Sequence, residues 1–330
     1  FLDSLEKEFN FKAPKKHGFD VVEAIEAMHQ KKAKVFFGMG GNFISATPDT
    51  TFTAEALRKC DLTVQVSTKL NRSHLITGKR AIILPCLGRT EKDFQSSGEQ
   101  FVSVENSMGV VHQSKGTLQP SSKELLSEVA IVAGVANATL RKSTTNWSEL
   151  ISNYDLIRTK IEATIPGFKN YNKRVRIKGG FYLPNNARES DFTPTKTGKA
   201  NFSVNKPSEI ELEKHQFMMM TIRTHDQYNT TIYGLNDRYR GVLNERRIIF
   251  MNENDMKLLH LKKLDVVDLT SHFKNEKREA KGFLAVPYNI PKQCTATYFP
   301  EANVLVPLKS KADISNTPAS KTVIITIKKR

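Results

Sequence analysis

Apolar residues near the start of the chain recur at helical spacing. Val22, Ile25 and Met28 fall on one face, and Asp20 with Glu23 forms a capping-box signature ahead of them. Residues 34–37 read as a short buried strand running into Gly38-Met39-Gly40-Gly41-Asn42. Residues 52–59 predict a short helix, and residues 62–66 alternate as a strand does. Residues 81–84 predict another strand, closed by Pro85, and residues 101–104 a further one. Ser121 with Glu124 predicts a second capping box, before Leu125, Val129, Val132 and Ala136 at helical spacing. Such alternation predicts an α/β layer with a parallel sheet over residues 1–140.

Residues 141–207 break the rhythm. One helix is expected to carry Leu150, Ile151, Tyr154, Ile157 and Ile161 on one face and to end before Pro166-Gly167. A loop-rich connection then runs from Gly179-Gly180 to Pro207. From residue 208 to 330 the pattern turns to short strands, at 218–222, 247–251, 266–269, 282–286, 304–308 and 323–327, with one helix at 254–259. Many short strands with turn signals predict a small closed barrel. No internal repeat interrupts this order.

Composition narrows the class. The 330 residues are 39% hydrophobic and 25% charged, too long for one ordinary core. No run of about 18 apolar residues occurs, so no membrane partner is expected. The cysteines Cys60, Cys86 and Cys294 are scattered, which argues against a disulfide framework and for a reducing, cytoplasmic setting. Nothing in their spacing suggests a zinc or iron–sulfur site in this segment. The net charge of +16 points to polyanions. Yet the lysines are spread in pairs, such as Lys15-Lys16, Lys262-Lys263 and Lys328-Lys329, rather than gathered with aromatics as on a nucleic-acid surface.

The candidate chemistry lies in polar runs at strand ends. Ile222-Arg223-Thr224-His225-Asp226-Gln227-Tyr228-Asn229-Thr230-Thr231 follows the apolar run Phe217-Met218-Met219-Met220. Buried polar groups are costly without partners, so this run reads as a wall that hydrogen-bonds a polar ligand. Gly38 to Asn42 follows a strand, where glycines let backbone N–H groups approach a phosphate. Val66-Ser67-Thr68-Lys69-Leu70-Asn71-Arg72-Ser73-His74 follows the next strand, the place where open α/β sheets bind ligands. Asn303 and the Asn316-Thr317-Pro318 turn near Lys321 have similar chemistry. His112, like His17, His29, His215, His260 and His272, reads as a surface or satisfied residue. Asp226, Asp237 and Glu301 read as hydrogen-bond or ion-pair partners. GxSxG, HExxH and paired-carboxylate signatures are absent, so no catalytic residue is expected here.

In order, the segments GMGGN, VQVSTKLNRSH, ILPCLGR, GEQFVSVENSMGVVH, TIRTHDQYNTTIYG, YFPEANVLVP and SNTPASK resemble the C-terminal half of a molybdopterin oxidoreductase. The likeness is to the formate-dehydrogenase-like type, the FdhF/YdeP group, and covers nearly the whole chain. It implies a Rossmann-like parallel-sheet domain followed by a C-terminal double-psi β-barrel, gripping molybdenum in bis(molybdopterin guanine dinucleotide), bis-MGD. It further implies that Gly40, Gly41, Asn42, Ser67, Thr68, Asn71 and Arg72 line a nucleotide part of the cofactor. Arg223, His225, Gln227, Asn229 and Thr230 would contact pterin or pyrophosphate from the barrel side, with Asn303 and Lys321 at the other barrel edge. Relatives often carry a Glu after the final Pro of the last motif, whereas Ala319 and Ser320 follow Pro318 here.

The family's metal ligand, its active-site arginine and any iron–sulfur cysteines would lie upstream of residue 1, so the chain reads as a fragment. Its expected partners are that missing N-terminal region, a small substrate such as formate, and an electron-transfer protein. A basic nucleic-acid-binding protein is the alternative reading and predicts a continuous positive stripe with steep salt dependence. A nicotinamide dehydrogenase lacks support, because GxGxxG is absent.

Overall fold

The structure is a computed structural model and describes residues 1–207, 209–230 and 232–330, so Thr231 of the polar run lies outside the described residues. In chain order the helices are α1 (Leu2–Phe9), α2 (Val21–His29), α3 (Phe43–Ala46), α4 (Thr50–Arg58), α5 (Glu128–Thr139), α6 (Trp147–Ser152), α7 (Tyr154–Thr164), α8 (Tyr171–Arg174) and α9 (Glu253–Leu258). The strands of the first half are β1 (Val35–Met39), β2 (Leu62–Ser67), β3 (Arg80–Pro85), β4 (Asp93–Gln95), β5 (Gly98–Gln100), β6 (Val102–Glu105), β7 (Val110–Ser114) and β8 (Phe181–Tyr182). Those of the second half are β9 (Phe217–Ile222), β10 (Ile248–Met251), β11 (Val266–Phe273), β12 (Glu276–Pro287), β13 (Cys294–Tyr298) and β14 (Val323–Lys329).

The chain forms two compact units that are both discontinuous. One is Phe1–His17 with Pro85–Pro207; the other is Gly18–Leu84 with Ser208–Arg330. The divisions fall at 17/18, 84/85 and 207/208.

In the unit holding residues 18–84, β1, β2 and β3 lie side by side in that order, with β1 and β2 parallel and Phe37 opposite Val64. The capping box expected at Asp20 and Glu23 starts α2. Val22, Ile25 and Met28 of α2 pack with Ala54, Ala56 and Leu57 of α4, and Leu308 of the second segment joins the same cluster. That second segment closes a barrel in the order β10-β12-β11-β14-β9-β13. β10 pairs in parallel with β12, and β13 in parallel with β9; the other pairings are antiparallel. Period-two alternation turns Phe217, Met219, Val267, Leu269, Phe283, Ala285, Val323 and Ile325 into one core. In β10 every residue is buried: Ile249 and Met251 join that core, while Ile248 and Phe250 pack with Ala296 and Tyr298 on the other side. A strand covered on both faces reads as a continuous apolar run, which is how Ile248–Met251 reads.

In the unit holding residues 85–207, the β6-β7-β8 sheet and the β4-β5 hairpin are antiparallel. The parallel layer expected over residues 1–140 therefore stops at β3, and the strand foreseen at 101–104 joins an antiparallel sheet instead. Tyr171, Val175 and Phe181 pack with Val111 under that sheet.

Three further expectations are corrected. The second capping box does not form: Ser121 donates its N–H to Glu91, and α5 starts at Ser127, whose hydroxyl accepts from Ala130 N–H. The single helix through Leu150 and Ile161 is two helices, because Asn153 leaves helical geometry and caps α7 with its side chain. The segment 304–308 is a 3-10 turn at Asn303–Leu305 and not a strand, as Pro307 cannot donate to a ladder. β13 was not foreseen, since Cys294-Thr295-Ala296-Thr297-Tyr298 carries few large apolar residues.

Candidate functional site

The first polar cluster sits at the carboxyl ends of β1 and β2. Gly40 and Gly41 have φ of 65° and 66°, a region in which L side chains are strained. Gly40 N–H donates to Val66 O at 2.8 Å, tying the turn to β2. A Cβ added at Gly41 would meet nothing within 4 Å, so the space over that backbone is open. Asn71 bridges the two loops: its Nδ2 donates to Gly41 O at 2.7 Å, and its Oδ1 accepts from Ser73 N–H. Ser73 Oγ donates to the buried Asn42 Oδ1 at 3.1 Å and accepts from Ile44 N–H. Sequence-distant residues 40–42 and 71–73 thus form one hydrogen-bonded rim. Ser67, half-buried, bonds only within its own loop, to Lys69 O, while Thr68 and Arg72 are exposed.

The second cluster lies where the chain leaves β9. His225 Nδ1 is 3.1 Å from Asp237 Oδ1, and its ring lies 4.3 Å from that of Tyr239. Asp237 is buried and also accepts from Arg240 at 2.6 Å and from the Tyr298 hydroxyl at 2.9 Å. Burial alone would raise the Asp237 carboxyl. The bonds from Arg240, Tyr298 and His225 outweigh it and hold the group below the usual carboxylate range. Burial and the same carboxylate push the Tyr298 phenol well up, so it stays a neutral donor.

Beneath this rim Arg246, 3% exposed, forms a two-bond pair with Glu301, at 2.8 and 3.1 Å. It also donates to Gln227 Oε1 and to Phe299 O. Gln227 Oε1 accepts a second bond, from Thr224 N–H, and its Nε2 donates to Asn229 O and Phe299 O. Both donors and both acceptor sites of the Gln227 amide are therefore taken up inside the protein. Asn303 is also tied inward: its Nδ2 donates to Ser45 O at 2.7 Å, and its main-chain carbonyl accepts from Asp49 N–H. In this structure these two candidates shape the walls. Asn229 supplies a turn at φ 47° and is exposed, and Thr230 is buried.

Arg223 and Lys321 behave differently. Lys321 donates to Thr221 O, in β9, and makes no carboxylate pair among the described residues; nor does Arg223. Partial burial, and then the nearby Arg223 charge, push the Lys321 ammonium below its ordinary value. Arg223 is held through its carbonyl, which accepts from Arg240, and its guanidinium lies 5.8 Å from the Phe299 ring. Two neighbouring cations without a counter-charge suit a phosphate-bearing ligand, as do open backbone at Gly41 and hydroxyl and amide groups at Ser67 and Asn71. The residues present thus fit a dinucleotide.

One feature of the site is not visible in the sequence. Arg246 is the hub of the buried network, and its only sequence signal is a pair of arginines directly before an apolar strand. Asp237 and Glu301 had been read as ion-pair partners, and both are.

Residues 217–324, from β9 into β14, match the family described as the molydopterin dinucleotide binding domain. Over that segment the chain carries a molybdopterin-dinucleotide-binding domain, and along nearly its whole length it is similar to proteins of which some are named as oxidoreductases. It is 48% identical over 331 residues to an uncharacterized oxidoreductase of Mycobacterium tuberculosis, covering 98% of this chain and 42% of that protein. It is 41% identical to Protein YdeP of Escherichia coli, covering 98% of this chain and 43% of that one. The chain thus spans less than half the length of these relatives. In fold it is similar to acetylene hydratase from Pelobacter acetylenicus, with a TM-score of 0.62 at 12% identity, over 100% of this chain and 49% of the other.

Proposed function

We propose that this chain is the part of a formate-dehydrogenase-like molybdenum oxidoreductase that cradles the dinucleotide ends of bis(molybdopterin guanine dinucleotide). In this reading the β1–β3 layer belongs to a Rossmann-like domain and the barrel is of the double-psi type. The observation that carries it is the Arg223–Lys321 pair, two adjacent cations without a carboxylate inside the segment that matches the dinucleotide-binding family.

Arg223 and Lys321 bind a phosphate of the cofactor. Asn42, Asn71 and Ser67, with the Gly40–Gly41 backbone, hold its nucleotide end. His225, oriented by Asp237, donates to the pterin or pyrophosphate. Gln227 and Asn303 keep these walls in place. When bound, the molybdenum–pterin group supplies the two-electron chemistry, and the protein contributes position and electrostatics. The whole enzyme acts in the cytoplasm on a small substrate of which formate is the first candidate. It passes electrons to a partner, with any iron–sulfur cluster held outside residues 1–330.

Metal and pterin analysis of the full-length gene product beside this chain tests the proposal. Molybdenum or tungsten together with pterin in the full-length protein is the expected result. A full-length product free of both overturns it.

A further inference from the structure

Within the unit of residues 1–17 and 85–207, a pocket of about 590 Å³ opens between the end of α1 and the turn that follows α5. Its volume is that of an ordinary small-ligand site, roughly 300–1,000 Å³. The walls are the apolar side chains of Leu5, Phe9, Phe11, Leu140 and Trp147. Thr144 Oγ1 donates to Phe9 O at 3.0 Å and ties the two sides together. Trp147 Nε1 donates to Ser143 Oγ at 3.1 Å, which fixes the indole. Asn10, at φ 49°, ends α1 in left-handed geometry and turns the chain so that Phe11 joins the same wall.

Phe11 and Leu140 are 46% and 51% exposed, so the pocket presents apolar surface that gains by being covered. One charged residue, Lys142, stands among those that line it. Among the described residues Lys142 has no carboxylate partner; the ion pairs of this unit engage Lys15, Lys115, Lys160, Arg158, Arg176 and Arg188 instead. A single ammonium balances a single negative charge. It lacks the planar fork, and the second cation, that a phosphate ester or a diphosphate would use. Apolar walls with one free cation at their edge therefore select a ligand of matching build: one anionic head on an apolar body.

We propose that this pocket binds a small amphipathic monocarboxylate, with its tail against Phe9, Phe11 and Trp147 and its head on Lys142. None of these residues is a cofactor candidate, and none lies in the unit that holds the barrel. The inference therefore stands or falls separately from the pterin content of the full-length enzyme.

Trp147 is the one tryptophan of the chain, so intrinsic fluorescence reads this pocket directly. Titration of the full chain with decanoate should shift the emission to the blue and saturate, because an apolar tail displaces water from the indole. Lys142→Gln should weaken decanoate about fivefold, the upper range for an exposed ion pair, and leave the uncharged analogue decanol unchanged. Phe11→Ser should weaken both. Lys142 and Phe11 are exposed, and circular dichroism of each variant checks that the fold is kept. The control Lys123→Gln, on another exposed lysine of the same unit, should bind as the parent does. Absence of a saturable shift overturns the proposal, as does a K142Q or F11S variant that binds decanoate as tightly as the parent. So does an equal loss for decanol in K142Q, or an equal loss in the control. A shift that follows protein concentration without decanoate places a second copy of the chain over the pocket and likewise overturns it.

Discussion

Single side chains decide how the barrel mouth holds its shape. Asp237 is fully enclosed, and its carboxylate is the shared acceptor for Arg240, Tyr298 and His225. A carboxyl held below its ordinary range binds fewer protons folded than unfolded. Its stabilising contribution is complete above the free value of about 3.9 and fades as pH falls through the lower, folded one. Asp237→Asn should therefore cost about 3–5 kcal/mol near neutrality, because Arg240 loses its buried partner. It should also flatten the loss of stability below about pH 4. Urea denaturation of both proteins across that range would show it, and parallel acid limbs would refute this account of the network. Glu301→Gln should cost a similar 3–5 kcal/mol by leaving the Arg246 guanidinium buried without its two-bond acceptor. At this scale the sequence was informative about residue type and silent about role. The polar run after β9 announced a hydrogen-bonded wall. That Gln227 spends its whole amide on protein partners, whereas Arg223 spends none of its guanidinium on a carboxylate, depends on contacts with residues up to 72 positions away.

Elements were legible where the local signal and the tertiary setting agree. The Asp20–Glu23 box, the β1 and β2 runs and the glycines after β1 all stand where the pattern put them, because each is specified by its own residues. The second capping box failed for a physical reason: Ser121 and Glu124 have the right spacing, but Leu126 bridges to Cys86 and delays the helix to Ser127. Likewise Asn153 ends one helix and caps the next, and of the apolar residues in the expected stripe Tyr154 is buried while Leu150 and Ile157 are half-buried. Asn153→Ala removes that cap and should lower stability by about 1 kcal/mol, read as a drop in Tm. Gly180→Ala should be worse, above about 2 kcal/mol, because its φ is 74° and a Cβ would clash with Val111 O. Loss of amide protection across β7 and β8 would report it.

For the molecule as a whole, the division into two discontinuous units could not be read from periodicity, which sees neighbours in sequence only. The barrel segment is not self-sufficient. Asn303 and Arg278 bond to Ser45 and Asp49, and Leu308 completes the cluster of α2 and α4. A protein cut to residues 208–330 should therefore uncover Leu308 and leave the Arg278 guanidinium without Asp49. Such a piece should unfold at lower urea and with a shallower transition than the same barrel in the full chain. A cut barrel with an unchanged midpoint would mean that these ties contribute little.

The same discontinuity sets a timetable during synthesis. Residues 18–84 leave the ribosome long before the strands that complete their unit. At about 5–20 residues per second, the intervening residues 85–207 delay those strands by roughly 6–25 s. Over that interval the half-built unit carries uncovered apolar surface where Leu308 will dock. The other unit, by contrast, closes as soon as residues 85–207 have emerged. The unit holding residues 85–207 is thus complete first, and the unit with the cofactor-binding barrel is the later of the two to take shape.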